Sequence, residues 1–328
     1  MRPADDERDH LLLRAATLYY EQDLTQQEVA ARLHLTRWQV GRLLAEARRS
    51  GVVRIEIHHP RARARSLEAE LVRRTGLGDA VVVPSAGDEV HTRSVVAAAA
   101  GELLADLRPT PATLAVSWGR TMTEVARQVP PSWASSTVVV QANGGLSQHG
   151  PDGPGGVVAE LARQARGTAV FLQAPAIVGS KTLARTLMAD SAVRRVLDRA
   201  KAADVLMFSL GPAAGTSVLV ENGYIASDDV ARLVEAGAVG DLVGHYITVD
   251  GELADPELDA RNVGLTLDDV RASPMAIAVA AGMSKLPAAL AAVTHGLCDV
   301  LVTDEDVATG LIEHIPRDGA YSPAPATE

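Results

Sequence analysis

Two helix-start signals eleven residues apart, Thr25-Gln-Gln-Glu28 and Thr36-Arg-Trp-Gln39, constrain this chain more than any other feature. Each is a capping box: the Thr hydroxyl accepts from a free backbone amide while the Glu or Gln side chain reaches back to the cap amide. The first opens the short run QQEVAARL, ending near His34. The second opens RWQVGRLLAEARRS, which Gly51 is placed to stop as a left-handed C-terminal cap. Upstream, LLLRAATLYYEQ repeats apolar residues at three- and four-residue spacing, the pattern of an amphipathic helix, and Asp23-Leu24 breaks it. Val29, Ala30, Leu33, Leu35, Val40, Leu43 and Leu44 fall where two short helices bury them against the first helix and each other. Two capped helices joined by so tight a turn make a helix-turn-helix, whose second helix enters the major groove with its N-terminal residues on base edges.

That geometry nominates DNA-contacting residues. Thr25 and Gln26 begin the first short helix; Thr36, Arg37, Gln39 and Arg42 begin the second and suit phosphates or guanine and adenine edges. Arg48 and Arg49 are expected on phosphates, and Trp38 either touches a thymine methyl or packs in the core. After Gly51, VVRIEIHHP alternates like a strand, which would make a wing beside the helix. Charge agrees. The whole chain carries −10, yet residues 30–65 hold nine Arg against Glu46 and Glu56, a balance of +7. A basic block on an acidic body points to a polyanion partner for the block alone.

The expected organisation is a helix-turn-helix domain over 1–59, a linker over 60–66, an effector-binding and oligomerisation domain over 67–316, and a disordered tail over 317–328. The linker PRARARS is Pro-led and Arg-rich, suited to follow the DNA backbone. In the body, strand patterns (DAVVVPS, ATLAVSW, STVVVQANGG, TAVFLQAPAIV, ADVLMFSLG, PMAIAVAAG, CDVLVTDED) alternate with helical ones, ARTLMADSAVRRVLDRAK among them. The fold class is therefore an N-terminal all-α helix-turn-helix, possessing a wing if the strand forms, followed by an α/β domain. Its sheet should be mostly parallel, Rossmann-like and covered on both faces.

Such sheets bind ligands at the carboxyl ends of their strands. Three strand-end loops carry suitable groups. VSWGRT offers Gly119, Arg120 and Thr121 at a helix N-terminus, where free amides attract anions. QANGG offers Asn143 beside Gly144 and Gly145, and AGMSK ends in Lys285, one of three lysines. Together they favour a phosphorylated or otherwise anionic small ligand. Other classes recede. The lone Cys298 excludes an intrachain disulfide and a multi-cysteine zinc site and reads as a buried core thiol. No metal or cofactor motif is present, and no run approaches the roughly 18 apolar residues of a membrane span. The charged start MRPADDERDH lacks an apolar signal core, so a cytoplasmic location is expected.

The run LYYEQDLTQQEVAARLHLTRWQVGRLLAEARRSGVVRIEI resembles the DNA-binding module of the SorC family of sugar-responsive transcriptional regulators. The resemblance continues through SWGRTM, VQANGG, GYIASDDVARLVEAGAVGDLVGHYITVDGE and IAVAAGMSKLPAALAAVTHGLCDVLVTDEDVATGLI, nearly the full length. It implies an effector domain with the fold of sugar-phosphate isomerases and deaminases but without their activity. It also implies a sugar-phosphate effector, and homodimers or homotetramers on palindromic double-stranded operators. Carried over by motif, Gly119, Arg120, Thr121 and Lys285 would hold phosphate. Asn143, Gly144 and Gly145 would line the sugar site, with Asp250 a further polar candidate. The chain departs from the family at Gly41, where a small hydroxyl residue is common, and at Trp118, bulkier than expected beside the phosphate loop.

The competing reading is a sugar-phosphate isomerase or deaminase carrying a DNA-binding module. Such an enzyme needs a carboxylate base beside a sugar carbon. Asp250, Glu252, Asp304 and Glu305 are acidic, but no His-Glu or Asp-His constellation marks a catalytic pair, and Asp304-Glu305-Asp306 reads as the cap of DVATGLI. No catalytic residue is therefore nominated. A constitutive nucleoid-binding protein would leave the whole α/β body unexplained.

Overall fold

The computed structural model describes residues 3–22, 24–50, 52–53, 63–145, 154–215 and 218–316. The chain divides into two compact units, 1–58 and 59–328.

The first unit is helical. Helix α1 (Pro3–Ala16) runs into a π-helical turn at Thr17–Glu21, followed by α2 (Gln26–Leu33) and α3 (Arg37–Arg49). Both capping boxes form. The Thr25 hydroxyl accepts from the Glu28 amide and the Thr36 hydroxyl from the Gln39 amide, while Glu28 and Gln39 accept from the Thr25 and Thr36 amides at 2.8 Å. His34 makes the turn between the helices in the left-handed conformation (φ 55°, ψ 41°). The predicted apolar positions assemble: Val29, Ala30, Val40, Leu43 and Leu44 are buried with Leu12, Ala15, Ala16, Leu18 and Ala47, and Leu33 and Leu35 pack against them half-buried. Helix α3 ends at Ser50 in a right-handed cap conformation; Gly51 and most of the expected wing strand (54–60) lie outside the described residues, as does Asp23.

The second unit begins its helices at α4 (Arg65–Thr75), so the last two residues of the expected linker, Arg65 and Ser66, are already helical. The order then runs β1 (Asp79–Val83), α5 (Glu89–Asp106), β2 (Thr113–Val116), α6 (Arg120–Gln128), β3 (Val138–Gln141), α7 (Pro154–Gln164), β4 (Thr168–Val170), α8 (Lys181–Ala189), α9 (Ser191–Lys201) and β5 (Val205–Pro212). It closes with α10 (Val218–Glu221), α11 (Ser227–Glu235), β6 (Ala238–Leu242), β7 (His245–Thr248), α12 (Pro256–Asp259), α13 (Leu267–Arg271), β8 (Ala276–Val279), α14 (Leu286–Thr294), β9 (Val300–Asp304) and α15 (Glu305–His314). Seven strands lie in the order β1-β9-β8-β5-β2-β3-β4, every neighbouring pair parallel. Successive side chains point to opposite faces, so Ala80, Val82, Leu206 and Phe208 join one core layer while Val81, Val83, Val205 and Met207 join the other. Both faces are apolar because helices cover both, as a parallel sheet requires.

Three sequence expectations change. The stretch TAVFLQAPAIV is strand only over Thr168–Val170. Beyond that it leaves the sheet, bridging Gly145 through Pro175 and Asn262 through Ile177; a Pro has no amide to give a ladder. The helical segment 181–201 is two helices, because Asp190 turns out of helical geometry (ψ 137°) and its carboxylate caps α9 at the Ala192 and Val193 amides. The sheet also gains an antiparallel hairpin, β6–β7, that pairs with the far end of β5. Strand β5 is long enough for both tasks: Leu206–Ser209 pair with β8, and Leu210–Pro212 continue beyond the sheet to β6.

Candidate functional site

Helix α3 presents the proposed DNA face. Arg37, Trp38, Gln39, Arg42 and Arg49 are exposed, as are Thr25 and Thr36, and Gln26 is half-buried. Arg48 belongs to α3, and its side chain lies outside what is described. Trp38 does not pack in the core: it is 69% exposed, with the Arg42 guanidinium 4.9 Å from its ring centre. A cation over an aromatic face pre-orders both side chains. Gln39 is less free than the sequence suggests. Its Oε1 accepts from the Thr36 amide and hydroxyl at 2.8 and 3.0 Å, which leaves only its NH2 to offer a base edge.

In the second unit a partly open cleft of about 620 Å³, open solvent at its mouth included, lies at the carboxyl ends of β2, β3, β5 and β8. Connections leave β2 toward β3 on one side and β5 toward β8 on the other, so the cleft sits where the strand order reverses, the usual binding position of such sheets. Gly119, Arg120, Thr121, Asn143 and Lys285 all line it. Gly119 precedes α6 at φ 129°, a region disfavoured for side-chain-bearing residues, and a Cβ there would stand 3.0 Å from the Ser209 hydroxyl. Arg120 pairs with Glu221 of α10 at 3.0 Å.

Asn143 is the least ordinary lining residue. It is 3% exposed, and neither its Nδ2 nor its Oδ1 has a hydrogen-bond partner among the described residues. An unmet buried polar atom costs about 1–3 kcal/mol, so two on one amide that borders a cleft mark a place for a ligand with both donors and acceptors. Gly144 and Gly145 do not line the cleft. Gly144 lies against the Pro175 backbone, where a Cβ would come within 2.3 Å of a carbonyl oxygen, and its own carbonyl accepts from Trp118 Nε1 at 2.9 Å. The Gly145 carbonyl accepts from the Tyr224 hydroxyl. Both glycines lie behind the cleft lining. Trp118 is part of that lining, buried and immobilised by its Nε1 bond.

Asp250 is also away from the cleft, exposed in the turn after β7. The acidic lining residues are instead Glu89 and Asp241. Asp241 is on β6, and its carboxylate packs against Gly211, whose Cβ would fall 1.8 Å from Oδ1. Burial pushes its pKa up to about 6 against the pull of the Lys285 and His245 charges. Lys285 ends a 3-10 turn after β8; burial lowers its pKa, Asp241 and Glu89 oppose that, and Arg120 and Arg93 add to it. Nothing in the stretch GAVGDLVGHYI sets Asp241 apart from an ordinary turn acid.

Behind the cleft wall, His245 on β7 is 3% exposed, with Nδ1 2.5 Å from Asp259 Oδ1 and Nε2 2.7 Å from the Leu265 carbonyl. Both ring nitrogens face acceptors, an arrangement only the imidazolium satisfies. Burial disfavours that charge, but the Asp259 contact, the Leu265 carbonyl and Asp241 together raise the pKa. The turn joining β6 to β7 holds Val243 at φ 52° and Gly244 at φ 90°, and both line the cleft. A β-branched residue there is strained, and such strain gathers at binding sites.

Comparison with known proteins agrees with this geometry. Residues 59–313 match the family model "Putative sugar-binding domain". The chain is 28% identical over 316 residues to the deoxyribonucleoside regulator of Bacillus subtilis, covering 95% of this chain and 100% of that one. It is 31% identical over 308 residues to the transcriptional regulator LsrR of an Enterobacter species, covering 93% of each. The full-length sorbitol operon regulator SorC of Klebsiella pneumoniae shares the fold, with a TM-score of 0.69 and 24% identity over 94% of this chain and 99% of that one. A DeoR family transcriptional regulator from Listeria monocytogenes superposes with a TM-score of 0.67 and 26% identity over 75% of this chain and 98% of that one. Among the described residues no helix is long and apolar enough to cross a membrane, and no His, Cys, Asp and Glu cluster could hold a metal ion. With a capped helix-turn-helix at one end and a ligand cleft in the matched body at the other, the chain belongs to the SorC family of sugar-binding transcriptional regulators.

Proposed function

We propose that this protein binds operator DNA through α3, as a symmetric dimer or tetramer, and that a small phosphorylated sugar in the cleft sets its affinity for that DNA. The observation that carries the ligand class is the meeting of unlike groups in one cleft. Lys285, Arg93 and the α6 N-terminus at Gly119–Thr121 suit a phosphate dianion. The unpartnered Asn143 amide and the Asp241 carboxylate suit hydroxyls. A phosphate alone leaves Asn143 unmet, and a neutral sugar makes no use of the excess of cationic lining side chains, Arg93, Arg120 and Lys285 against Glu89 and Asp241.

Calorimetric titration with pentose and hexose monophosphates and their unphosphorylated parents tests this. Hydrogen bonds to charged groups are worth about 1.5–3 kcal/mol, so Lys285→Ala should weaken the best phosphosugar about tenfold or more. A parent sugar that binds wild type as tightly as its phosphate ends the anion-site reading. Asp241, with its carboxyl pushed to about 6, also has the pKa of a general base, which favours the enzyme as the second reading. Turnover of any sugar phosphate in the same panel, abolished by Asp241→Asn, would establish it; the regulator reading expects none.

A further inference from the structure

The peptide joining the two units enters the body through Arg63 and Ala64, and these residues are fastened to one strand. Strand β1 is an edge of the parallel sheet, so one side of its backbone has no neighbouring strand. An uncovered edge presents unpaired amides and carbonyls. Here the entering peptide pairs with them. The Ala64 amide donates to the Val82 carbonyl at 2.8 Å and Arg63 Nη2 to the Ala80 carbonyl at 2.9 Å. Glu68 Oε1 of α4 accepts from the Val82 amide at 3.0 Å and from Arg63 Nε at 2.6 Å. Glu68 is 5% exposed, so this carboxylate is committed to the clamp.

The same strand leads into the ligand cleft. On its other side β1 pairs with β9, Val83 opposite Asp304. Asp304 is fully buried; its Oδ2 accepts from the Gly282 amide at 2.7 Å and its Oδ1 from the Ser85 hydroxyl at 3.1 Å. Gly282 opens the turn that ends in Lys285, and Ser85 lies two residues past β1. The next helix, α5, carries Glu89 and Arg93 into the cleft. Lys285, Glu89 and Arg93 therefore stand at the cleft end of one short path, which runs through Asp304 and β1 to the clamp.

We propose that the Arg63–Glu68 clamp on β1 is the joint through which cleft occupancy alters DNA binding. It has two arrangements, engaged as seen here and released, and the ligand changes their balance. This rests on the reading of the cleft as the effector site. Arg63 and Glu68 are positioning residues: although Arg63 belongs to the Arg-rich stretch expected to follow the DNA backbone, its guanidinium is held on Glu68 and the Ala80 carbonyl instead. Because coupling requires a ligand to bind the two arrangements differently, loosening the clamp should remove the coupling while leaving each binding site intact.

The test measures two quantities on full-length wild type, Arg63→Met and Glu68→Gln. One is the affinity for the best-binding pentose or hexose monophosphate by calorimetry. The other is the ratio of affinities for a duplex selected by the wild-type protein, with and without that phosphosugar at saturation. Both variants should bind the phosphosugar within about twofold of wild type while the DNA ratio falls to about 1. Arg63→Met leaves Glu68 on the Val82 amide and so guards against a folding defect, which thermal unfolding would register. A DNA ratio unchanged in both variants overturns the joint. Loss of phosphosugar binding in both also overturns it, because the clamp would then support the cleft rather than link it to DNA. If no monophosphate binds wild type, the cleft reading itself falls, and the inference with it.

Discussion

At the scale of residues, the cleft holds an acid whose ionisation opposes the stability of the fold, Asp241. Asp241 has a folded pKa near 6, above its usual 3.8. The folded state therefore binds more protons than the unfolded state between about pH 4 and 6, and stability from this group falls as pH rises through that window. His245 works in the same direction higher up: its raised pKa gives stability that is complete below the ordinary value of 6.5 and lost as pH rises through the folded value. Asp241→Asn keeps the shape and removes the buried charge. It should raise the unfolding free energy of the ligand-free protein above pH 6 by about 3 kcal/mol, at roughly 1.4 kcal/mol per pKa unit, while weakening phosphosugar binding. Chemical denaturation at pH 5 and pH 7.5 checks this, and equal stabilities of variant and wild type at pH 7.5 would contradict it. Asp241 was not legible in the sequence because nothing in GDL distinguishes a cleft acid from a turn acid. Asp250 stands near an equally plain glycine turn and is exposed. Asn143 and Lys285 were legible because each closes an apolar strand pattern, and strand ends are where this kind of sheet binds.

Elements read from the sequence in proportion to their local signals. Helices α2 and α3 came with caps and periodicity, and both form as expected. The β6–β7 hairpin has strands of five and four residues, and Val243 sits in a left-handed turn position that β-branched residues avoid, so local preference hid it. The break at Asp190 was hidden similarly, because an Asp between two helical patterns reads as either a helix residue or a new cap. Within α3, Gly41 is the position where propensity and fold disagree. A Cβ there would meet only Gln26 Oε1, at 3.9 Å. Gly41→Ala should therefore stabilise the first unit by about 1 kcal/mol, seen as a higher unfolding midpoint for that unit; a lower midpoint would mean the helix needs the glycine. Gln39 closes the cap and stands on the exposed face of α3 proposed to meet DNA. Gln39→Glu preserves a capping box but faces phosphates with a negative charge, so helix stability should hold while DNA affinity falls. Arg37→Ala, which breaks no described contact, should cost about 1–3 kcal/mol of operator binding and relax one base position. Binding of both variants to selected and random duplexes separates these effects, and wild-type affinity in both would move the recognition surface elsewhere.

At the scale of the whole molecule, a basic block over residues 30–65 and an acidic α/β body were both visible in the distribution of charge, and the alternation of strands and helices gave the parallel sheet. Strand order was not visible. Apolar runs such as AVVV and VLVT carry no partner information, so nothing in the sequence places β1 beside β9 or fastens Arg63 to that edge. The cleft depends on that order, since its lining segments lie far apart in the chain. The central claim is that occupancy of this cleft governs DNA affinity. It is tested most directly by fluorescence anisotropy of a selected duplex, titrated with wild type and Lys285→Ala in the presence and absence of the panel's tightest sugar monophosphate. The wild-type affinity should shift by about 5–150-fold, the usual range of such coupling, and the Lys285→Ala affinity should not shift at the same concentration. A wild-type affinity that no sugar phosphate changes, or an equal shift in Lys285→Ala, would contradict the account.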